Sequence, residues 1–165
     1  MKISEKDRQW IQHRVRHSPV EYMGLLVRTN KRGLWEKEMM VSRSQMERVL
    51  RAVKKRGTPY QKERILVHTH PLHESPCRSD FPTLQDIITT LEYEFPLHLI
   101  FTGGGVFVLE KTDRPIQPLA LLEEILKLED HFCRVRKSPT FIVERYNKIF
   151  QSRGILFSFL PPVNG

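Results

Sequence analysis

The sequence predicts an α/β fold: one domain with a mixed, mostly antiparallel, curved sheet and helices on both of its faces. Three observations support this prediction. The chain has 165 residues, enough for one hydrophobic core. Short apolar segments that suit strands alternate with longer segments whose apolar residues recur at helical spacing. Turns at Gly33 and at Gly103 each join two strand-like segments, which predicts antiparallel hairpins.

Capping residues and turns give the order of the elements up to residue 110. Ser4 and Thr83 are favourable N-cap residues in front of helical patterns, and the 18–19 Ser-Pro pair ends the first helix. The predicted elements are, in order, helix 4–17, strands 20–28 and 34–41, helix 45–56, strand 64–69, helix 84–94, and strands 97–102 and 106–110.

After residue 114 the apolar residues recur mainly at helical spacing. Residues 1–114 are therefore predicted to form a core, and 115–165 a mainly helical extension packed on it. Apolar residues at helical spacing predict helices over 119–136 and from 139 to 152. A short apolar run follows at 155–160. The extension either packs on the core or forms a homodimer or substrate-recruiting face, and the sequence predicts that chemistry does not need residues from 118 onward.

Composition narrows the function classes. The net charge is +8, but no helix-turn-helix, zinc-finger or aromatic-platform pattern accompanies it, so a nucleic-acid partner is not predicted. The two cysteines, Cys77 and Cys133, form no C-x-x-C pair, which argues against a thiolate zinc site. The polar first residues and the lack of a long apolar stretch predict a cytoplasmic protein with no membrane segment.

Residues 65–71 read Ile-Leu-Val-His-Thr-His-Pro and contain the main candidate site. Side chains alternate along a strand, so His68 and His70 are expected on the same face, with Cα atoms roughly 6.5 Å apart. Pro71 has no N–H to donate and is expected to end the strand. The two imidazoles therefore lie at a strand end and can converge on one ion.

Two carboxylates complete a candidate zinc site. Asp86 falls in the first turn of the helix that follows Thr83, where the helix dipole favours a negative charge. Glu21 interrupts an otherwise apolar strand, where an unpaired carboxylate would be costly. We expect His68, His70 and Asp86 to bind Zn²⁺, leaving a position for water whose proton Glu21 can accept.

These motifs together resemble the JAMM (JAB/MPN-type) zinc metallopeptidases. The chain contains Pro-x-Glu-x-x-Gly-Leu-Leu, then His-x-His-Pro, then Thr-x-x-Asp, and the resemblance covers roughly residues 3–110. The positions that match the family pattern are Glu21, His68, His70, Pro71 and Asp86. The gap between His70 and Asp86 is about five residues longer than in the family, which indicates an inserted loop.

The resemblance implies an isopeptidase or deubiquitinase-like hydrolase acting after the C-terminal tail of a ubiquitin-like or sulfur-carrier protein. Thr83 stands where the family usually has serine, so its hydroxyl either donates to the developing oxyanion or only caps the helix. The alternative function is a non-catalytic MPN-type scaffold or interaction module.

Asp80 competes with Asp86 for the role of metal ligand, because its distance from His70 is nearer to the family spacing. Asp86 is preferred since Thr83 lies three residues before it and the helix that it begins can hold it rigidly. Asp80 precedes Phe-Pro, a sequence that disfavours a helix at that point.

Overall fold

The computed structural model describes residues 1–29, 33–72 and 80–162, with six helices and six strands in this part of the chain. A short 3₁₀ turn, Arg43–Gln45, precedes α2, so that helix begins a residue later than predicted and has no side-chain cap. In chain order the elements are α1 Glu5–His17, β1 Tyr22–Arg28, β2 Trp35–Ser42, α2 Met46–Arg56, α3 Thr58–Lys62, β3 Arg64–Thr69, α4 Leu84–Glu92, β4 Leu97–Thr102, β5 Gly105–Lys111, α5 Pro118–Arg134, α6 Pro139–Phe150 and β6 Ile155–Leu160.

The described strands form one mixed sheet in the order β2-β1-β3-β4-β5-β6. Only the β3–β4 pair is parallel, and the other four neighbouring pairs are antiparallel. A parallel pair needs a crossover, and α4 lies within the connection from β3 to β4. The prediction of an α/β fold with a mixed, mostly antiparallel sheet is therefore confirmed.

Both faces of the sheet carry hydrophobic clusters, because alternate residues of the central strands point in opposite directions. On one face, α1 packs Ile11 and Val15 against Ile65 and Val67 of β3. The other face carries α2 over β1 and β3, and α4 to α6 over β4 to β6. The helices thus flank the sheet on both sides.

The C-terminal segment consists of α5, α6 and a strand that sequence reasoning left as an apolar run. β6 pairs antiparallel with β5 along its whole length, from Ile155 opposite Lys111 to Leu160 opposite Val106. Ile155 and Phe157 are buried whereas Leu156 is exposed, which is the alternation of a half-buried edge strand. The sequence predicts no helix between α2 and β3, but the short helix α3 lies there, with Gly57 as its N-cap and Pro59 in its first turn.

Candidate metal centre

β3 places the two predicted histidines on one face of the sheet, at its carboxyl end. Their ring centroids are 5.1 Å apart, and both side chains are buried. The backbone N–H of His70 donates to the carbonyl of Phe101 at 2.8 Å, which keeps the chain extended one residue past β3. Pro71 follows, as expected for the end of the strand.

Asp86 lies in the first turn of α4, where a capping box fixes it. The backbone N–H of Thr83 donates to Asp86 Oδ2 at 2.8 Å, and the backbone N–H of Asp86 points back to the Thr83 hydroxyl at 3.4 Å. Thr83 is therefore the N-cap, as its position predicted. The side chain of Asp86 is only 2% exposed, so the cap holds a buried carboxylate in a defined orientation.

The Asp86 carboxylate joins the two imidazoles. His68 Nδ1 donates to Asp86 Oδ1 at 2.8 Å, and His70 Nε2 lies 3.0 Å from Asp86 Oδ2. The structure thus brings together three side chains that sequence reasoning had selected as metal ligands. The contact joins the end of β3 to the beginning of α4.

Glu21 lies immediately before β1 and reaches the same cluster from the other side. Its Oε2 atom is 3.3 Å from His68 Nε2, and its side chain is 19% exposed. The Glu21 carbonyl accepts the N–H of Arg43 at 2.9 Å, and the next residue, Tyr22, donates its N–H to the Thr69 hydroxyl at 2.8 Å. These backbone contacts fix Glu21 beside the end of β3.

The Thr83 hydroxyl already interacts with Asp86 in this structure. It donates to Asp86 Oδ2 at 3.0 Å while it accepts the N–H of the same residue. A hydroxyl has one proton, so donation to a substrate oxyanion requires this proton to turn away from Asp86. The helix-capping alternative is therefore realised, and the oxyanion role remains a proposal.

His98, which sequence reasoning did not select, is a further member of the cluster. It lies in β4 and is 1% exposed. Its Nδ1 atom is 2.9 Å from the Thr90 hydroxyl, whose single proton is donated to the Asp86 carbonyl at 2.8 Å. Nδ1 must therefore carry the proton, which leaves a lone pair on Nε2. A lone histidine within an apolar strand was the signal that could have identified it.

The donor atoms form two overlapping groups that could hold a metal ion. One group is Glu21, His68 and His70, and the other is His68, Asp86 and His98; within each group the donor atoms lie within 4.8 Å of one another. Imidazole and carboxylate donors suit Zn²⁺ and other transition metals. Within the described part of the chain, the buried atoms His70 Nδ1 and His98 Nε2 have no hydrogen-bond partner. These observations fit a bound cation.

The electrostatics of the cluster also fit a bound cation. Burial by itself would lower the pKa of His68, but the charge of Asp86, its hydrogen bond and nearby Glu21 raise that pKa to about 10. Burial would raise the pKa of Asp86, but His70 and His68 hold it well below its usual range. The pKa of His98 is lowered to about 3, mainly by burial, so that ring is neutral. The buried carboxylate thus requires positive charge beside it, which a metal ion can supply in place of a proton.

The cluster opens into a cleft of about 440 Å³. Arg43 contributes to its lining, and α4 contributes Leu84 and Ile88. α5 contributes Leu126 and Glu129, so the C-terminal segment supplies part of the cleft wall. This volume lies within the usual range of ligand-binding sites in proteins.

Asp80 lies apart from the two donor groups. One of its carboxylate oxygens is 3.8 Å from Arg136 Nε, and the Asp80 side chain is 36% exposed. Cys77 lies outside the described residues, and so does His73, a histidine of the same loop.

Comparisons with known proteins identify no family for this chain. No protein-family model matches the chain, and a search of curated proteins found no significant match. None of the helices in the described ranges combines the length and apolarity needed to cross a bilayer.

Proposed function

We propose that the protein is a zinc-dependent metallopeptidase of the JAMM type that hydrolyses an amide or isopeptide bond. One observation carries the proposal: Asp86 bridges His68 and His70 at the end of a strand, with Glu21 on the open side of the cluster. Ligands that converge beside a separate, partly exposed carboxylate are the arrangement needed for hydrolysis of a polarised carbonyl. The proposal includes the JAB/MPN fold that such enzymes share.

Each residue has a distinct role in this mechanism. His68, His70 and Asp86 would hold the zinc ion, which when bound would lower the pKa of a water molecule to about 7 and polarise the substrate carbonyl. Glu21 Oε2 accepts the proton from the attacking water and delivers it to the nitrogen of the leaving amine. The backbone N–H of Thr83 orients Asp86 through the capping box. Ile88 and Leu126 contribute apolar side chains to the lining of the cleft.

The substrate class follows from the family resemblance: a bond after the C-terminal tail of a ubiquitin-like or sulfur-carrier protein. The mixed polar and apolar lining of the cleft supports a peptide substrate. Arg43 and Glu129 can meet polar backbone groups, while Ile88 and Leu126 can contact an apolar side chain.

Metal analysis combined with a cleavage assay tests the proposal. We expect purified protein to contain about one equivalent of zinc, as in sites with three protein ligands and a water. It should cleave a ubiquitin-like or sulfur-carrier protein carrying an amide-linked reporter at its C-terminus. A chelator should abolish cleavage, and added zinc should restore it. Zinc without cleavage of any such conjugate would contradict the proposed substrate class, and absence of bound metal would contradict the site itself and favour the scaffold alternative.

A substitution at Thr83 separates its two roles. Thr83→Val removes the hydroxyl and should cost about 1 kcal/mol of unfolding free energy through loss of the cap. If the hydroxyl also donates to the oxyanion, kcat at saturating zinc should fall about 100- to 1000-fold. Thr83→Ser keeps the hydroxyl and should retain both properties.

Ser138→Ala provides the matched control, because Ser138 caps α6 by accepting the N–H of Phe141 at 3.2 Å, away from the cleft. It should lower stability by a similar amount and leave kcat unchanged. A Thr83→Val enzyme with normal kcat would show that Thr83 acts only as a cap.

A further inference from the structure

Tyr146 of α6 makes a buried polar contact with the segment that leads into α4. Its side chain is fully buried, and its hydroxyl donates to the carbonyl of Pro82 at 2.6 Å. Two aromatic rings pack against Tyr146: its ring centroid lies 4.8 Å from that of Phe157 and 5.7 Å from that of Phe132. Phenylalanine would satisfy this packing, so the hydroxyl serves the contact with Pro82.

Glu129 of α5 makes a second contact at the same place. Its Oε2 atom accepts the backbone N–H of Leu84 at 3.0 Å. Leu84 is the first residue of α4, and N–H groups in the first turn of a helix have no partner within the helix. Glu129 therefore satisfies one such group, while the Thr83 hydroxyl satisfies that of Asp86.

The two contacts bracket the N-cap of α4. Pro82 and Leu84 flank Thr83, and Asp86 follows only two residues after Leu84. Glu129 lies 45 residues after Leu84 in the chain, and Tyr146 lies 64 residues after Pro82. Helices α5 and α6 thus contact the residues on either side of the α4 N-cap.

We propose that Tyr146 and Glu129 are positioning residues of the metal centre, through which the C-terminal helices hold Asp86 in place for metal binding. The inference rests on the proposed metal site. A ligand must be held within about 0.5 Å of its productive position by its supporting contacts, which is the reason such contacts change metal affinity. The sequence predicts that chemistry does not need residues from 118 onward. This proposal instead requires two of them, Glu129 and Tyr146, for metal binding.

Tyr146→Phe in the full-length chain tests the first contact. The readouts are Co²⁺ affinity by competition with a chelator, the visible spectrum of the Co²⁺-loaded protein, and the midpoint of urea unfolding. We expect Co²⁺ affinity to fall about 10-fold, as for other residues that orient a metal ligand, with a changed ligand-field band.

Tyr60→Phe is the matched control, since the Tyr60 hydroxyl donates to Glu38 at 2.8 Å, next to Arg64 at the opposite end of β3 from the site. It removes one hydroxyl hydrogen bond of similar length and should leave Co²⁺ affinity and the spectrum as in the wild type. Equal Co²⁺ binding by Tyr146→Phe and the wild type, with only a lower unfolding midpoint, would overturn the role of Tyr146.

A pair of substitutions at Glu129 tests the second contact. This pair also tests the proposal if Tyr146→Phe does not fold. Glu129→Gln keeps an oxygen that can accept the N–H of Leu84 and should bind Co²⁺ within about 2-fold of the wild type. Glu129→Leu removes the acceptor and should weaken Co²⁺ binding about 10-fold. Equal affinity of the two variants would overturn the role of Glu129.

None of these readouts uses hydrolysis, so the inference can fail separately from the proposed function. If the wild-type protein binds Co²⁺ and neither Tyr146→Phe nor Glu129→Leu weakens that binding, only the positioning roles are overturned. If the wild-type protein binds no metal, both the metal centre and the proposed peptidase function are overturned.

Discussion

Glu21→Gln will abolish hydrolysis while the protein keeps its zinc. Glutamine preserves the shape of the side chain and removes its ability to accept a proton, so kcat should fall about 100- to 10,000-fold. Glu21 Oε2 lies 3.3 Å from His68 Nε2, close enough to act on a water held beside the histidines. The measurements are single-turnover cleavage of a saturating substrate and zinc content of the same sample.

Zinc content is the second measurement in this experiment, because Glu21 also belongs to one of the two donor groups and could itself be a ligand. Loss of zinc in Glu21→Gln would identify Glu21 as a ligand, and the proposed proton transfer would then be wrong. Glu36→Gln, which changes an exposed carboxylate on the neighbouring strand β2, is the control and should affect neither quantity.

Asp86→Asn will remove zinc, whereas Asp80→Asn will retain it. Asp86 is buried and contacts both His68 and His70, and an amide cannot bridge two imidazoles as a charged ligand does. Residues that only orient a ligand already change metal affinity about 10- to 100-fold, so loss of the ligand itself should exceed about 100-fold. The measurement is zinc affinity by chelator competition on each folded variant.

The Asp80 variant is the matched control because it makes the same chemical change six residues away. The Asp80 side chain is partly exposed and faces Arg136 at 3.8 Å, an ion pair of a kind that contributes little to stability. Zinc retained by Asp86→Asn and lost by Asp80→Asn would reverse the assignment and remove Thr83 from the site.

The sequence by itself determined the local geometry of the candidate centre. Alternation along β3 predicted that His68 and His70 share a face, and the capping pattern predicted that Asp86 lies in the first turn of α4 behind Thr83. Both predictions depend on neighbours within a few residues, where backbone geometry and capping hydrogen bonds suffice. The α/β class followed in the same way from the periods of the apolar residues.

Only the tertiary structure decided which distant residues join that centre. His98 lies near it because β4 runs parallel to β3 with His98 opposite Leu66, a register that no local pattern specifies. Glu129 and Tyr146 reach α4 because α5 and α6 pack over the same face, and β6 completes the sheet beside β5. Periodicity fixes which face of an element is buried, but the partner of that face depends on how the whole chain packs.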